Sequence, residues 1–177
     1  MILGGALMSV FERYQPPESV EKSNDKLEAK DTLKADNPTS VEEPIEKRTP
    51  QESESELTAP YVAFGFKEQY STKLDEEGNV VPAEWGEAGS RRPDAYAPET
   101  NTVVEVKNYS VEKASGRNNL VHNIRKQTDD SIEHYGEDVH TIEVIDLRGH
   151  DVSVDDVEKL TKKLEEKCPE IGIDLRW

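Results

Sequence analysis

In the stretch "RRPDAYAPETNTVVEVKNY", residues 91–109, Asp94 follows a proline, and eleven residues later Glu105 and Lys107 flank a single valine. Alternate side chains of a strand share a face, so Glu105 and Lys107 point one way while Val104 and Val106 point the other. A carboxylate and an ammonium on a strand as apolar as "TVVEV" are costly to bury unless they pair or hold a ligand. With Asp94 converging from an adjacent strand, two carboxylates suffice to hold a hard divalent cation through oxygen, with water in the remaining positions. Such a cation lowers the pKa of a water and neutralises charge on a phosphodiester, while a nearby lysine orients that water or offsets the developing charge. The chemistry these residue types suit is phosphodiester hydrolysis. The bare pattern also describes an ion pair at a sheet edge, so the surroundings decide.

Those surroundings are basic in an acidic chain. Residues 91–126 hold Arg91, Arg92, Lys107, Lys113, Arg117, Arg125 and Lys126 against Asp94, Glu99, Glu105 and Glu112, although the whole chain carries a net charge of -16. Positive charge gathered around one site is what contact with a phosphate backbone requires. "SGRNNL" (115–120) reads as a flexible turn opening a helix, where Arg117, Asn118 and Asn119 can meet phosphates. Gln127, further along that helix, either faces the sheet and touches the water or phosphate, or stands exposed.

The elements that would position these groups are legible from punctuation and period. "KEQYSTKLD", the turn "EEGN" and "VVP" predict a β-hairpin. "TVVEVKNY" predicts a central strand. From Asn118 to Tyr135, apolar residues at 120, 121, 124, 132 and 135 predict a helix closed by Gly136, thinly apolar around Gln127 and Thr128. "HTIEVIDL" predicts a further strand, Ser153 caps a helix striped by Val157, Leu160 and Leu164, and "IDLRW" predicts a last strand. The order predicts an α/β fold, a mixed sheet flanked by helices.

Composition divides the chain. Its 177 residues are 33% hydrophobic with a mean hydropathy of -0.83. Residues 1–58 hold seven Lys and Arg against thirteen Asp and Glu, with prolines at 16, 17, 38, 44 and 50. That composition predicts a disordered acidic linker, followed by a folded domain over 59–177. The opening "MILGGALM" has no basic flank and falls short of the roughly 20 residues of a spanning helix, so neither a membrane span nor a secretion signal is expected. Cys168 is the single cysteine, and His122, His134, His140 and His150 follow no ligand spacing, which argues against a zinc cage. Two carboxylates without His or Cys favour Mg²⁺, with Mn²⁺ or Zn²⁺ as alternatives.

Taken together, "GSRRPDAY", "VVEVKNYSVE", "GRNNLVHNIRKQTDDSIEHY", "IEVIDLRGHDVS" and "IDLRW" resemble the PD-(D/E)xK, or restriction-endonuclease-like, nuclease superfamily. Within it they are similar to the C-terminal toxin domains of contact-dependent growth inhibition and other polymorphic toxin systems. The resemblance covers residues 89 to about 177. It implies a metal-dependent endonuclease acting on DNA or tRNA, delivered into the cytoplasm of a competing bacterial cell and neutralised at home by an immunity protein. It assigns metal binding to Asp94 and Glu105 and catalysis to Lys107, with Arg92, Asn108, Arg117 and Gln127 in support; Asn118 and Arg125 join the nucleic-acid contacts. Such domains usually begin with a long helix carrying one more acid. Here the equivalent stretch is the short "ESESELTAPYVAFGF", with Glu54, Glu56 and Glu68 as candidates and no evident helix. Two other readings stand beside this one: a nucleic-acid-binding module of the same fold without turnover, and a repair or phage endonuclease without an immunity partner. DNA or RNA specificity and oligomeric state are open at this level.

Overall fold

The protein is described by a computed structural model over residues 46–177, all within one compact unit, Glu42–Trp177. "MILGGALM" and the expected linker up to residue 45 lie outside the described residues.

The first element corrects the expected boundary. Residues 50–58 are not linker: helix α1 spans Pro50–Ala63. Thr49 accepts the Glu52 N–H at 3.2 Å, Glu52 accepts the Thr49 N–H at 2.8 Å, and Pro50 occupies the first helical position. This reciprocal cap satisfies amide groups that a helix start leaves without partners. The helix buries little, Ser53, Leu57 and Thr58, so its anchorage comes mainly from the sheet beneath it.

Five strands form that sheet in the order β1-β4-β5-β6-β7: Lys67–Glu68, Ala95–Ala97, Thr102–Asn108, His140–Asp146 and Gly172–Arg176. β1 and β4, and β4 and β5, pair antiparallel; β5, β6 and β7 run parallel. The parallel links are made by helices, α2 at Ala114–Tyr135 and α3 at Val154–Lys167, as crossovers between parallel strands demand. Ser153 caps α3, accepting from Asp156 N–H at 3.2 Å.

Strand alternation sorts the core. Val104 and Val144 are buried with Ala95 and Leu57 of α1, with Tyr61, Val106 and Ile142 packed around them. On the opposite face Ile145 packs with Leu120, Val121 and Ile124 of α2 and with Val157, Leu160 and Leu164 of α3. Val103, Tyr96 and Tyr135 extend that face, the two tyrosine rings 4.7 Å apart. The mixed α/β sheet flanked by helices is thus as expected, with α1 on one face and α2 and α3 on the other.

Two local readings need correction. "KEQYSTKLD" is not one strand: Gln69, at φ +49, breaks it, so Lys67–Glu68 joins the main sheet while β2, Thr72–Leu74, pairs with β3, Val80–Pro82, in a separate two-stranded sheet. The helix read from Asn118 begins at Ala114, so Gly116 and Arg117 are already helical and "SGRNNL" is no flexible turn. It ends where expected, at Gly136 with φ +95. Among the described residues, no helix is long and apolar enough to cross a membrane.

Candidate functional site

The site forms where β4 and β5 part. Their last pair on this side is Ala95 with Val104, so one further step brings Asp94 opposite Glu105. Asp94 does not continue the ladder with its backbone. Its Oδ2 accepts the Val106 N–H at 2.7 Å, while its carbonyl accepts the Gln69 N–H at 3.0 Å. The φ break at Gln69 also aims its side-chain amide at two carboxylates, reaching Asp94 Oδ1 at 3.3 Å and Glu54 of α1. Of the three upstream acids considered, Glu54 therefore stands beside Asp94. Glu56 instead pairs with Arg48 and Arg148, at 2.9 and 2.8 Å. Glu68 lies 3.5 Å from the Thr58 hydroxyl.

Glu105 and Lys107 share the face covered by α2, both buried, with Nζ of Lys107 3.2 Å from Glu105 Oε2. Gln127 does face the sheet, its Nε2 3.5 Å from Glu105 Oε2 at the outer limit of a hydrogen bond. Arg91 fixes this arrangement from beneath. Its Nη2 donates to the Gln127 carbonyl at 2.9 Å and to Ser131 Oγ at 2.8 Å, and lies 3.8 Å from Glu105 Oε1. On β6, Glu143 sits in parallel register beside Glu105, wholly buried, with Oε2 3.5 Å from Nζ of Lys107 and no hydrogen bond on either oxygen.

The electrostatics follow from crowding acids in a dry place. Burial raises the pKa of Asp94, against the pull of the Val106 N–H and Lys107. Burial also raises Glu105, which Lys107 lowers and Asp94 raises further. Glu54 is raised by burial and then by Asp94. Burial pushes Glu143 furthest, to about 8, so that it is mostly protonated at neutral pH. Burial works against the Lys107 ammonium, but the surrounding carboxyl groups, Glu143, Glu105 and Asp94, outweigh it and hold its pKa above the ordinary value.

Not every expected residue belongs to this constellation. Asn108 turns to the α1 face, donating to Ser53 Oγ at 2.7 Å and to the Arg48 carbonyl at 3.1 Å, with His150 Nε2 2.9 Å from its oxygen. Arg117 ties α2 to α3, donating to the Val111 carbonyl at 2.6 Å and to Asp156 at 2.7 Å. Asn118 accepts from Lys163 of α3. Arg125 and Lys126 are exposed on α2 and Lys113 at its N-cap, and none of the three makes an ion pair among the described residues. Arg92 is exposed too, stacked on Trp85 with its guanidinium 4.8 Å from the ring centroid. It lowers the pKa of both Asp94 and Glu54, which sets its charge beside the carboxylates.

The donor set suits a hard cation: carboxylate oxygens, mutually repelling, with one oxygen of Asp94 held by backbone and the other bonded only weakly. Among the described residues, no three acidic, His or Cys side chains are gathered as a ready-made metal cage. What the site offers a hard cation is the two carboxylates of Asp94 and Glu105, standing opposite one another past the last β4–β5 pair; water would have to fill the remaining positions. Comparison with protein-family models, with curated proteins and with solved structures gives no match to this chain.

Proposed function

We propose that this chain is a metal-dependent endonuclease with a restriction-endonuclease-like, PD-(D/E)xK domain, hydrolysing phosphodiester bonds of DNA or tRNA. The observation that carries the reading is Asp94, just before β4, standing one step past the Ala95–Val104 pair opposite Glu105 where the two strands separate, with Lys107 on Glu105 and Glu54 of α1 joined to Asp94 through Gln69. Asp94 and Glu105 would hold the cation, Mg²⁺ before Mn²⁺ or Zn²⁺, with Glu54 adjacent. When bound, it supplies charge neutralisation on the phosphate and lowers the pKa of water. Lys107, kept charged, offsets charge developing on the scissile phosphate. Gln127 orients the attacking water with Glu105, while Arg91 bonds the Gln127 main-chain carbonyl and faces the Glu105 carboxylate.

The test is incubation of the full-length chain with plasmid DNA and with total tRNA, in Mg²⁺ and in EDTA, beside Asp94→Ala. Metal-dependent cutting of one substrate, lost in the variant, supports the reading and names the target. If the folded, Mg²⁺-supplied protein cuts neither, the reading fails. The chain must keep α1, because a version starting at residue 59 would lose Glu54.

The resemblance extends the proposal to a toxin of bacterial competition, neutralised by an immunity protein. Expression of wild type should then harm a bacterial host, and Asp94→Ala or a co-expressed small neighbouring reading frame should relieve it; a harmless, active wild type would count against toxicity. A second reading, a binding module without turnover, draws on the closed state of the charged groups, Lys107 between two glutamates and Asp94 bonded to backbone. It predicts nucleic-acid binding without cleavage in the same assay.

A further inference from the structure

One large apolar side chain beside the site has no packing role. Trp85, one of two tryptophans in the chain, is 75% exposed and belongs to no core cluster. It occupies the second position of a tight turn closed by the Glu87 N–H on the Glu84 carbonyl at 3.2 Å, with Gly86 next at φ +78. Only glycine readily takes that positive φ at the third position. A second turn follows, Ser90 N–H to the Glu87 carbonyl at 3.0 Å. Both ends of the loop are tied down. Ala83 N–H reaches the Ser71 carbonyl at 3.0 Å, Arg91 and Thr72 exchange bonds of 2.8 and 2.9 Å, and Lys73 pairs with Glu87. The loop thus presents an indole to water from a fixed position, and forgoes the burial a ring of this size normally gains.

Its neighbour explains the position. The Arg92 guanidinium lies over the Trp85 ring and makes no hydrogen bond or ion pair among the described residues, whereas Arg91, one residue away, turns inward to the Gln127 carbonyl, Ser131 and Glu105. Arg92 also acts on Asp94 and Glu54. The pair therefore joins an uncommitted cation next to the carboxylates with an aromatic surface further out. A guanidinium takes a phosphate through paired N–H donors, and an indole face stacks a nucleobase of any identity. One nucleotide supplies both groups, but only if its base is not already stacked and paired within a duplex.

We propose that Trp85 and Arg92 form a nucleotide-binding shelf that takes an unpaired nucleotide flanking the scissile phosphate, so that the site selects single-stranded, looped or bulged nucleic acid over duplex. This rests on the nuclease reading for its meaning, and is tested by binding alone so that the two can fail separately. The probe is the full-length chain carrying Glu105→Gln and Trp177→Phe, in EDTA, which leaves Trp85 as the sole indole. It is titrated with a short unpaired oligonucleotide and with the matched duplex, in DNA and RNA forms, reading Trp85 fluorescence and the anisotropy of labelled oligonucleotide.

Unpaired strand should quench Trp85 saturably and bind at least tenfold more tightly than duplex. Trp85→Ala should lose tenfold or more of that affinity, and Trp85→Phe should recover most of it. Absence of binding, binding without quenching, equal affinity for duplex, or full affinity in Trp85→Ala would each overturn the shelf. Quenching by unpaired strand with no cleavage by the wild-type chain in Mg²⁺ would uphold the shelf and sink the nuclease.

Discussion

Glu143 lies in parallel register beside Glu105, and the two carboxyl groups share Lys107, whose Nζ is 3.5 Å from the first and 3.2 Å from the second. Both glutamates cannot be charged cheaply in so dry a place, and the more deeply buried one gives way. With its pKa pushed up from 4.5 to about 8, folded Glu143 holds a proton that the unfolded chain has released throughout that window. Stability therefore falls as pH rises from 4.5 towards 8, with a limiting slope of about 1.4 kcal/mol per pH unit. Glu143→Gln, which mimics the protonated form, should leave stability near wild type at pH 5 and raise it by roughly 1–3 kcal/mol at pH 9. Thermal unfolding in EDTA at both pH values measures this. A gain that does not change with pH, or a loss at pH 9, would show that Glu143 is ionised in the fold.

Glu105 makes a contrasting case, since it faces both Lys107 and the carboxylates. Glu105→Gln removes repulsion from Asp94 together with attraction to Lys107. It also relieves the repulsion that adds to burial in keeping Glu143 protonated, and so lets Glu143 ionise as the lysine's partner; unfolding free energy should therefore move by no more than about 1 kcal/mol. Hydrolysis, in contrast, should fall on the order of 100-fold or more. Measured together, a large stability loss with cleavage retained would make Glu105 a structural ion-pair member.

Sequence alone carried part of this picture for identifiable reasons. The period-2 pattern of "TVVEVKN" and the apolar stripe of α3 are strong signals, and both elements form where that pattern places them. Helix α1 was missed because its apolar face is short, Leu57 and little more, and Pro60 lies inside it. Yet Thr49, Pro50 and Glu52 spell a capping box that was there to be read. Glu143 was missed because a glutamate in "TIEVID" looks like the solvent side of an alternating strand. In a parallel sheet covered on both faces, that position is interior. Asn108, Arg117 and Asn118 have the residue types of phosphate ligands, but only the fold reveals their ties to α1 and α3.

Arg91 and Arg92 are adjacent and identical in type, and should respond oppositely to truncation. Arg91→Ala removes the bonds to the Gln127 carbonyl and to buried Ser131 together with the cation facing Glu105, which should cost roughly 1–3 kcal/mol. Arg92→Ala, at an exposed side chain, should change stability by no more than about 0.5 kcal/mol. Urea unfolding of the two variants decides, and similar effects would refute the inward and outward assignment.

Asp146 is wholly buried under α1, and its two oxygens accept from Arg148 N, Nε and Nη2 at 3.1, 2.8 and 3.0 Å. Burial would raise its pKa, but the bonds from Arg148 and Ser53 outweigh that and lower it below 3.8. A depressed carboxyl pKa contributes stability that is present above 3.8 and lost as pH falls through the lower folded value. Arg148→Ala removes the guanidinium and leaves the buried carboxylate only the main-chain N–H of residue 148 and Ser53, which should cost about 2–4 kcal/mol at pH 7. Because Asp146 then gains from protonation, the penalty should shrink on acidification. Unfolding at pH 7 and pH 4 checks it, and a pH-independent penalty would mean that packing, not charge, was lost.

Gly116 separates local propensity from tertiary constraint. It lies in the first turn of α2, where alanine would ordinarily favour a helix over glycine by up to about 1 kcal/mol. A Cβ at this position, however, would stand 2.2 Å from the Ser110 carbonyl oxygen, a backbone atom of the segment entering the helix. Backbone cannot swing aside as a long side chain does, so the helix start or the preceding turn must shift. That shift would disturb Arg117, whose bonds to the Val111 carbonyl and Asp156 join the two helices. Gly116→Ala should therefore destabilise, by roughly 1–3 kcal/mol, whereas Ser115→Ala, exposed one residue away, should be neutral or slightly stabilising. Chemical unfolding of both variants provides the comparison. A stabilised Gly116→Ala would mean that the 110–116 approach is looser than described and that helix propensity alone governs this end of α2.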